Sequence, residues 1–61
     1  MNKADKKMAI SMTNEGMLMA QELMERAKNR RELKMGEAMF NAFLALELLY
    51  KDCKIEPDGR F

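Results

Sequence analysis

The stretch KKMAISMT, residues 6–13, decides how the rest of the chain is interpreted. Met8, Ile10 and Met12 occupy every second position, and a β-strand has a side-chain period of two. The spacing therefore predicts a short strand over residues 7–12 with these three side chains on one face. A lone strand cannot satisfy its own backbone N–H and C=O groups, so we expect it to pair with the same strand of a second copy.

The same stretch fits a second interpretation, in which it forms the front of one long helix. Methionine and alanine are good helix formers, and Met12 and Leu23 also fit a helical spacing. We favour the strand because the large apolar side chains of Met8, Ile10 and Met12 occupy every second position.

The size and composition of the chain favour an oligomer. Sixty-one residues form one domain at most, and a core of that size is often supplemented by disulfides, metals or partner subunits. Cys53 is the only cysteine and histidine is absent, which argues against a disulfide framework and a structural zinc site. We assign Cys53 no role, and we expect no cofactor and no small-molecule ligand. With 48% hydrophobic residues, the chain suits a packed domain that is completed by oligomerisation.

Two helices are predicted after the strand. The first spans about residues 14–28 and begins at an N-cap formed by Thr13 or Asn14. The second spans about residues 35–52 and is apolar on nearly every side. A helix of this kind should be buried on more than one face, which again requires a second subunit.

The connection between the helices is basic and has two possible ends. We take it as residues 29–34, which carry Arg30, Arg31 and Lys34. Asn29 and Glu32 have the spacing of a capping box, which marks an alternative, earlier start of the second helix.

The two ends of the chain are expected to lie outside the packed domain. Residues 1–5 are polar and predict a flexible basic arm, and residues 53–61 contain the turn-forming series Pro57-Asp58-Gly59 and predict a short tail. The start lacks the continuous apolar run of a signal peptide. The apolar run at residues 38–50 is too short to span a membrane. We therefore expect a cytoplasmic protein associated with the nucleoid or a plasmid.

Strand, helix, basic connection and apolar helix follow one another in the order of a known DNA-binding family. The stretch Met8–Thr13, the apolar stripe of the first helix, the segment Leu33–Met39 and Ala42-Phe43 carry this likeness. Over residues 6–50 the chain resembles the ribbon-helix-helix family, the MetJ/Arc/CopG group of small repressors. The resemblance implies a mainly α fold with one short strand in an intertwined homodimer. Its two strands would form an antiparallel ribbon between the subunits, which enters the DNA major groove.

The resemblance also implies roles for individual residues. The base contacts would come from the outward side chains of the strand: Lys7, Ala9 and Ser11. The phosphate contacts would come from residues beside the ribbon and around the start of the second helix: Lys6, Arg30, Arg31, Lys34, Met35 and Gly36. The dimer core would be formed by apolar side chains of the strand and the second helix: Met8, Ile10, Met12, Met39, Phe40, Phe43 and Leu46.

The function implied by the resemblance is repression of transcription. The homodimer would bind double-stranded DNA in a sequence-specific manner, with several dimers on tandem operator repeats, and would regulate plasmid or phage genes for replication, partition or conjugative transfer. Two alternatives remain open: an antitoxin whose tail neutralises a toxin, and a helical-bundle protein-interaction module that does not bind DNA. An enzyme is not expected, because the chain has no histidine, no Gly-rich phosphate loop and no nucleophile beside a base.

Overall fold

The computed structural model describes residues 1–54, which form an antiparallel hairpin of two helices. Helix α1 spans Lys3–Glu25 and helix α2 spans Arg30–Asp52, each of 23 residues. The molecule is a rod of 49 × 13 × 12 Å. The predicted turn at Pro57-Asp58-Gly59 lies outside the described residues.

The predicted strand is wrong, and with it the ribbon-helix-helix fold and its intersubunit ribbon. Residues 7–12 lie inside α1, and residues 1–54 contain no strand. The helix starts earlier because the side-chain oxygen of Asn2 accepts a hydrogen bond of 2.8 Å from the backbone N–H of Asp5. This N-cap satisfies an unpaired donor of the first turn. The predicted flexible arm at residues 1–5 is therefore corrected to a capped helix start.

The predicted N-cap at Thr13 or Asn14 is wrong, because both residues lie in the middle of α1. The hydroxyl of Thr13 donates a hydrogen bond of 2.8 Å to the carbonyl oxygen of Ile10, one turn earlier. The side chain is only 3% exposed. The internal bond satisfies a hydroxyl that would be costly to bury unpaired against α2.

The connection between the helices is residues 26–29, so α2 begins earlier than the predicted residue 35. The side chain of Asn29 accepts a hydrogen bond of 2.9 Å from the N–H of Glu32. The carboxylate of Glu32 in turn accepts one of 2.9 Å from the N–H of Lys28. These reciprocal bonds resemble a capping box, and they establish the alternative helix start that the spacing of Asn29 and Glu32 had indicated.

The two helices pack through a reciprocal arrangement of two glycines. A Cβ atom placed on Gly16 would lie 2.6 Å from the ring of Phe43, and one placed on Gly36 would lie 2.6 Å from Cγ of Met24. Each helix therefore receives a large side chain of the other where it has no side chain of its own. Between them, Ala20 is fully buried. A glycine inside a helix costs about 1 kcal/mol relative to alanine, and the close approach of the two helices offsets this cost.

At the open end of the hairpin, the side chain of Lys6 on α1 binds the C-terminal end of α2. The ammonium group of Lys6 donates hydrogen bonds to the carbonyl oxygens of Lys51, at 2.9 Å, and Cys53, at 2.7 Å. The last carbonyls of a helix have no partner within the helix, so the cation satisfies them and suits the negative end of the helix dipole.

The hairpin has almost no hydrophobic core of its own. Among residues 1–54 the buried apolar side chains amount to Ala20, while the buried polar residues are Thr13 and Glu47. The Glu47 carboxylate lies 3.7 Å from the ammonium group of Lys51, one turn further along α2. Eleven large apolar side chains are instead exposed to solvent. The chain alone therefore leaves most of its apolar surface in water.

Candidate interaction surface

One side of the hairpin carries a shallow groove between two rows of apolar side chains, which we call the groove face. Two neighbouring depressions along this side are lined by both helices. Met8 and Leu49 extend the rows beyond the depressions at helical spacings of four and three residues. The groove face consists of Met8, Met12, Met19 and Leu23 on α1 and Met35, Met39, Leu46 and Leu49 on α2.

The side chains of the groove face are unusually exposed for their type. Seven of the eight are between 41% and 65% exposed, and Met39 is half-buried. Scattered exposed apolar residues are ordinary, but a contiguous patch on a small protein marks a site of interaction. Five of the eight residues are methionines, whose flexible thioether side chains adapt to a partner's shape.

The floor of the groove follows from the packing of the two helices. Because Gly16 has no side chain, the ring of Phe43 lies against α1, and both residues line the groove together with Ala9. Glu15 lies at the α1 edge of the same depression. At the turn, Arg26 and Glu32 line the other depression and end the apolar surface with charge.

The opposite side of the hairpin is more polar on α1. A depression there is lined by Asn14, Gln21 and Phe40, with Met17 between them. Leu18 lines the same depression of polar and apolar side chains and is 61% exposed. It is therefore as exposed as the residues of the groove face but lies outside the groove, beside the polar side chains of Asn14 and Gln21.

The predicted base-contact residues do not form one surface. Lys7 and Ser11 are exposed one turn apart on α1, whereas Ala9 is half-buried and lines the groove. They belong to a helix in which alternate residues point about 200° apart. The arrangement of a ribbon with three side chains towards the bases is absent from the described chain.

The predicted phosphate-contact residues are divided between the two ends of the rod. Lys6 lies at the open end and binds the carbonyls that end α2. Gly36 is buried beneath Met24 inside α2, and its neighbour Met35 is 65% exposed in the groove face. The start of α2 therefore does not present Gly36 to a ligand.

The remaining cations gather at the turn, in a cluster that we call the basic turn. All are exposed, and none forms an ion pair with an acidic group of residues 1–54. The single acidic residue among them, Glu32, accepts a hydrogen bond from the backbone of Lys28. The basic turn consists of Arg26, Lys28, Arg30, Arg31 and Lys34.

The residues predicted for a dimer core lie in three places. Phe43 packs on Gly16 of the same chain. Ile10 and Phe40 are half-buried away from the groove, where each lines a depression with polar residues. The other four are in the groove face: Met8, Met12, Met39 and Leu46.

Sequence reasoning gave no dimer-core role to four members of the groove face: Met19, Leu23, Met35 and Leu49. The signal for two of them is present, because Met8, Met12, Met19 and Leu23 follow one another at intervals of four, seven and four residues. These intervals are typical of one side of a helix. The strand interpretation ended the pattern at Met12 and so separated the row into two parts.

Other kinds of site are not found in the part of the chain that the structure describes. Within residues 1–54 no group of three or more acidic or cysteine side chains could hold a metal ion. Neither of the two helices is long and apolar enough to cross a membrane. Comparisons with protein-family models, curated proteins and solved structures gave no match.

Proposed function

We propose that this chain is a non-enzymatic protein-interaction module, a helical hairpin that works by self-association. Two copies bury their groove faces against each other and form a four-helix bundle. The observation that carries this proposal is a contrast among residues 1–54: one apolar residue, Ala20, is buried, whereas eleven large ones are exposed, and seven of these lie in the two rows of the groove face.

The area of the groove face fits a stable interface. Methionine and leucine side chains at these exposures have on the order of 100 Å² each left to bury, so eight provide roughly 800 Å² per copy. That is the area that one partner contributes to a standard protein–protein interface.

A second hairpin is the partner that matches the shape of this surface. The two apolar rows run side by side from Met8 to Leu23 on α1 and from Met35 to Leu49 on α2. A single helix would fill the groove between the rows but leave their outer sides in water. A hairpin of equal length covers both rows and gives each helix two neighbours, which is the packing of a four-helix bundle.

The test is the mass of the protein in solution, measured by sedimentation velocity over a range of concentrations. We expect a dimer, and we expect Leu46→Glu to shift it to monomer because a carboxylate would be buried in the interface. Leu18→Glu is the control, since it makes the same change at an exposed leucine that lies on the opposite side, 61% exposed against 41% for Leu46. A monomeric wild-type hairpin at high concentration, or equal disruption by both variants, would contradict the proposal.

A second candidate function is binding to nucleic-acid backbones, and the basic turn favours it. Its five cations are exposed and unpaired with any acid of the described chain. Cations of this kind displace condensed counterions from a phosphate backbone, which supports binding without base recognition. The predicted role of a repressor of plasmid or phage genes stays a prediction within this second candidate. The antitoxin alternative depends on the tail, most of which lies outside the described residues.

The second candidate is tested by fluorescence anisotropy with duplex DNA at two salt concentrations. We expect salt-sensitive binding that weakens for Arg30→Gln/Arg31→Gln, with a salt slope lower by roughly 1 for each phosphate contact removed. Lys7→Gln serves as control, because it removes a cation far from the turn. Absence of binding at low salt would rule out this function.

A further inference from the structure

We infer that the two copies pack with their turns at opposite ends of the bundle, about a two-fold axis perpendicular to the rod. This inference rests on the proposed self-association and specifies its geometry. The argument for a second copy in this orientation is the order of charged and apolar residues along α1. When two α1 helices lie antiparallel, this order places opposite charges and apolar side chains against each other.

A closed dimer that joins two groove faces has two possible two-fold arrangements. If the axis runs along the rod, the two turns lie at the same end and α1 lies opposite α2 of the partner. If the axis crosses the rod, the turns lie at opposite ends and α1 lies opposite α1. The helices in contact are antiparallel in both cases, so helix direction does not distinguish them.

The apolar row of α1 is bounded by opposite charges. Asp5 precedes Met8 by three residues, and Arg26 follows Leu23 by three. Asp5 is exposed, and Arg26 lines the groove at the turn. The row therefore begins with an anion and ends with a cation at the spacing that keeps both on the same side of the helix.

Reversal of this row about its midpoint produces a matched set of contacts. The midpoint lies between residues 15 and 16 for the pair Met8 and Leu23, and it is the same for Asp5 and Arg26. When α1 packs against α1, Asp5 therefore lies opposite the partner subunit's Arg26, and the apolar residues face one another. The dimer contains two such ion pairs, one at each end of the α1 contact.

The helix α2 accepts the same midpoint. Phe43 lies level with Gly16, so the centre of the α2 contact is near residue 43. Ala42 and Ala45 flank this centre, and small side chains there let two helices approach closely. Met39 and Leu49, on either side of the alanines, then meet across the interface.

The same-end arrangement lacks this complementarity. Met24 lies level with Gly36, so Arg26 would come beside the partner subunit's Lys34. All five cations of one basic turn would adjoin the five of the other, and like charges at close range oppose association. With the turns at opposite ends, each basic turn instead faces an open end where Asp5 and Asp52 lie together with Lys3, Lys6, Lys7 and Lys51. The preference for this arrangement therefore rests on Asp5, which lies on the groove side of α1 opposite the partner subunit's Arg26.

A distance between spin labels decides the arrangement. A nitroxide is attached at Lys28→Cys in a Cys53→Ser background, and the dipolar distance between the two copies is measured at a concentration where sedimentation shows a dimer. Residue 28 lies about 12 residues from the midpoint, so opposite turns place the labels roughly 35–40 Å apart. Turns at the same end place them roughly 10–20 Å apart, since packed helices are 8–10 Å apart.

The outcomes separate this inference from the proposed function. A long distance supports the inference. A short distance in a dimer overturns the arrangement but leaves self-association intact. A monomeric mass with no dipolar signal overturns both.

A charge-reversal cycle tests the ion pair itself. We expect Asp5→Arg and Arg26→Asp each to weaken dimerisation about five- to tenfold, because each places two like-charged pairs at the interface. The double variant restores opposite charges and should return to within about twofold of the wild-type affinity. Both reversals also disfavour the ends of α1, but the double variant carries both of these helix-end costs, so recovery of affinity reports the intersubunit contact.

Glu15 supplies an independent control of the same geometry. It lies at the edge of the groove next to the proposed axis, where it meets its own copy only if α1 packs against α1. We expect Glu15→Gln to tighten the dimer and Glu22→Gln, on the same face of α1 but about two turns further from the proposed axis, to change it less. A double charge reversal without recovery, together with no effect of Glu15→Gln, would overturn the arrangement.

Discussion

At the scale of single residues, Gly16 is required for the packing of the two helices, because the ring of Phe43 occupies the space that a side chain would fill. Alanine normally stabilises an exposed helix by about 1 kcal/mol relative to glycine. At this position the new Cβ would lie 2.6 Å from the ring of Phe43, and overpacking costs about 1–3 kcal/mol. We expect Gly16→Ala to lower the free energy of unfolding by about 1 kcal/mol, measured by urea denaturation at fixed protein concentration.

The control for this variant removes the obstacle rather than the glycine. Phe43→Leu replaces the ring by a smaller, more adaptable side chain. In that background Gly16→Ala should be neutral or stabilising, as helix propensity alone predicts. An equal loss in both backgrounds would show that the ring of Phe43 is not the reason for glycine.

Lys6 is a second residue whose role depends on a distant part of the chain. Its ammonium group binds carbonyl oxygens that lie 45 and 47 residues further along the sequence. We expect Lys6→Met to lower the free energy of unfolding by roughly 1 kcal/mol, since the charged hydrogen bonds at the end of α2 are lost. Lys7→Met, which leaves these bonds in place, is the control. Equal stability of the two variants would show that the hydrogen bonds of Lys6 to the end of α2 do not stabilise the hairpin.

At the scale of helices, the start of α2 depends on one side chain. Asn29 accepts the N–H of Glu32 at 2.9 Å, and loss of such an N-cap costs typically about 1 kcal/mol. Asn29→Ala should therefore lower the melting temperature and the helical circular dichroism signal. Asn14→Ala, an exposed position inside α1, should raise helix stability slightly. A loss of the same size at both positions would indicate a general effect of the asparagine amide.

The same scale explains what the sequence could and could not predict. Asn29 and Glu32 define the start of α2 through local hydrogen bonds, so their spacing in the sequence was enough to indicate where the helix begins. Residues 7–12 were ambiguous because six residues are too few to separate a period of two from one of 3.6. The pair Asn2 and Asp5 at capping distance would have decided the case in favour of a helix, since it places a helix start before the apolar alternation.

Contacts between the helices lay beyond prediction for a different reason. The sequence identifies Gly16 and Gly36 as residues that weaken a helix. It does not show that Phe43 packs against Gly16 or that Met24 packs against Gly36. That assignment requires the relative height of the two helices, which residues 26–29 set through the length of the turn. The groove face has the same dependence, because its two rows become one surface only after α1 and α2 are paired.

At the scale of the whole molecule, folding and self-association should be one process. The isolated hairpin buries Ala20 and little other apolar surface among its described residues, so most of the apolar burial that stabilises folding must come from the second copy. We expect the melting temperature to rise by roughly 5–7 °C for each tenfold increase in protein concentration, given a dimer of this size. Circular dichroism melts from a few micromolar to several hundred micromolar provide the measurement. Leu46→Glu should lose both this dependence and much of its helicity, whereas Leu18→Glu should retain both. A melting temperature that does not change with concentration would mean that the hairpin is stable alone. The exposed groove face would then not be explained by packing against a second copy.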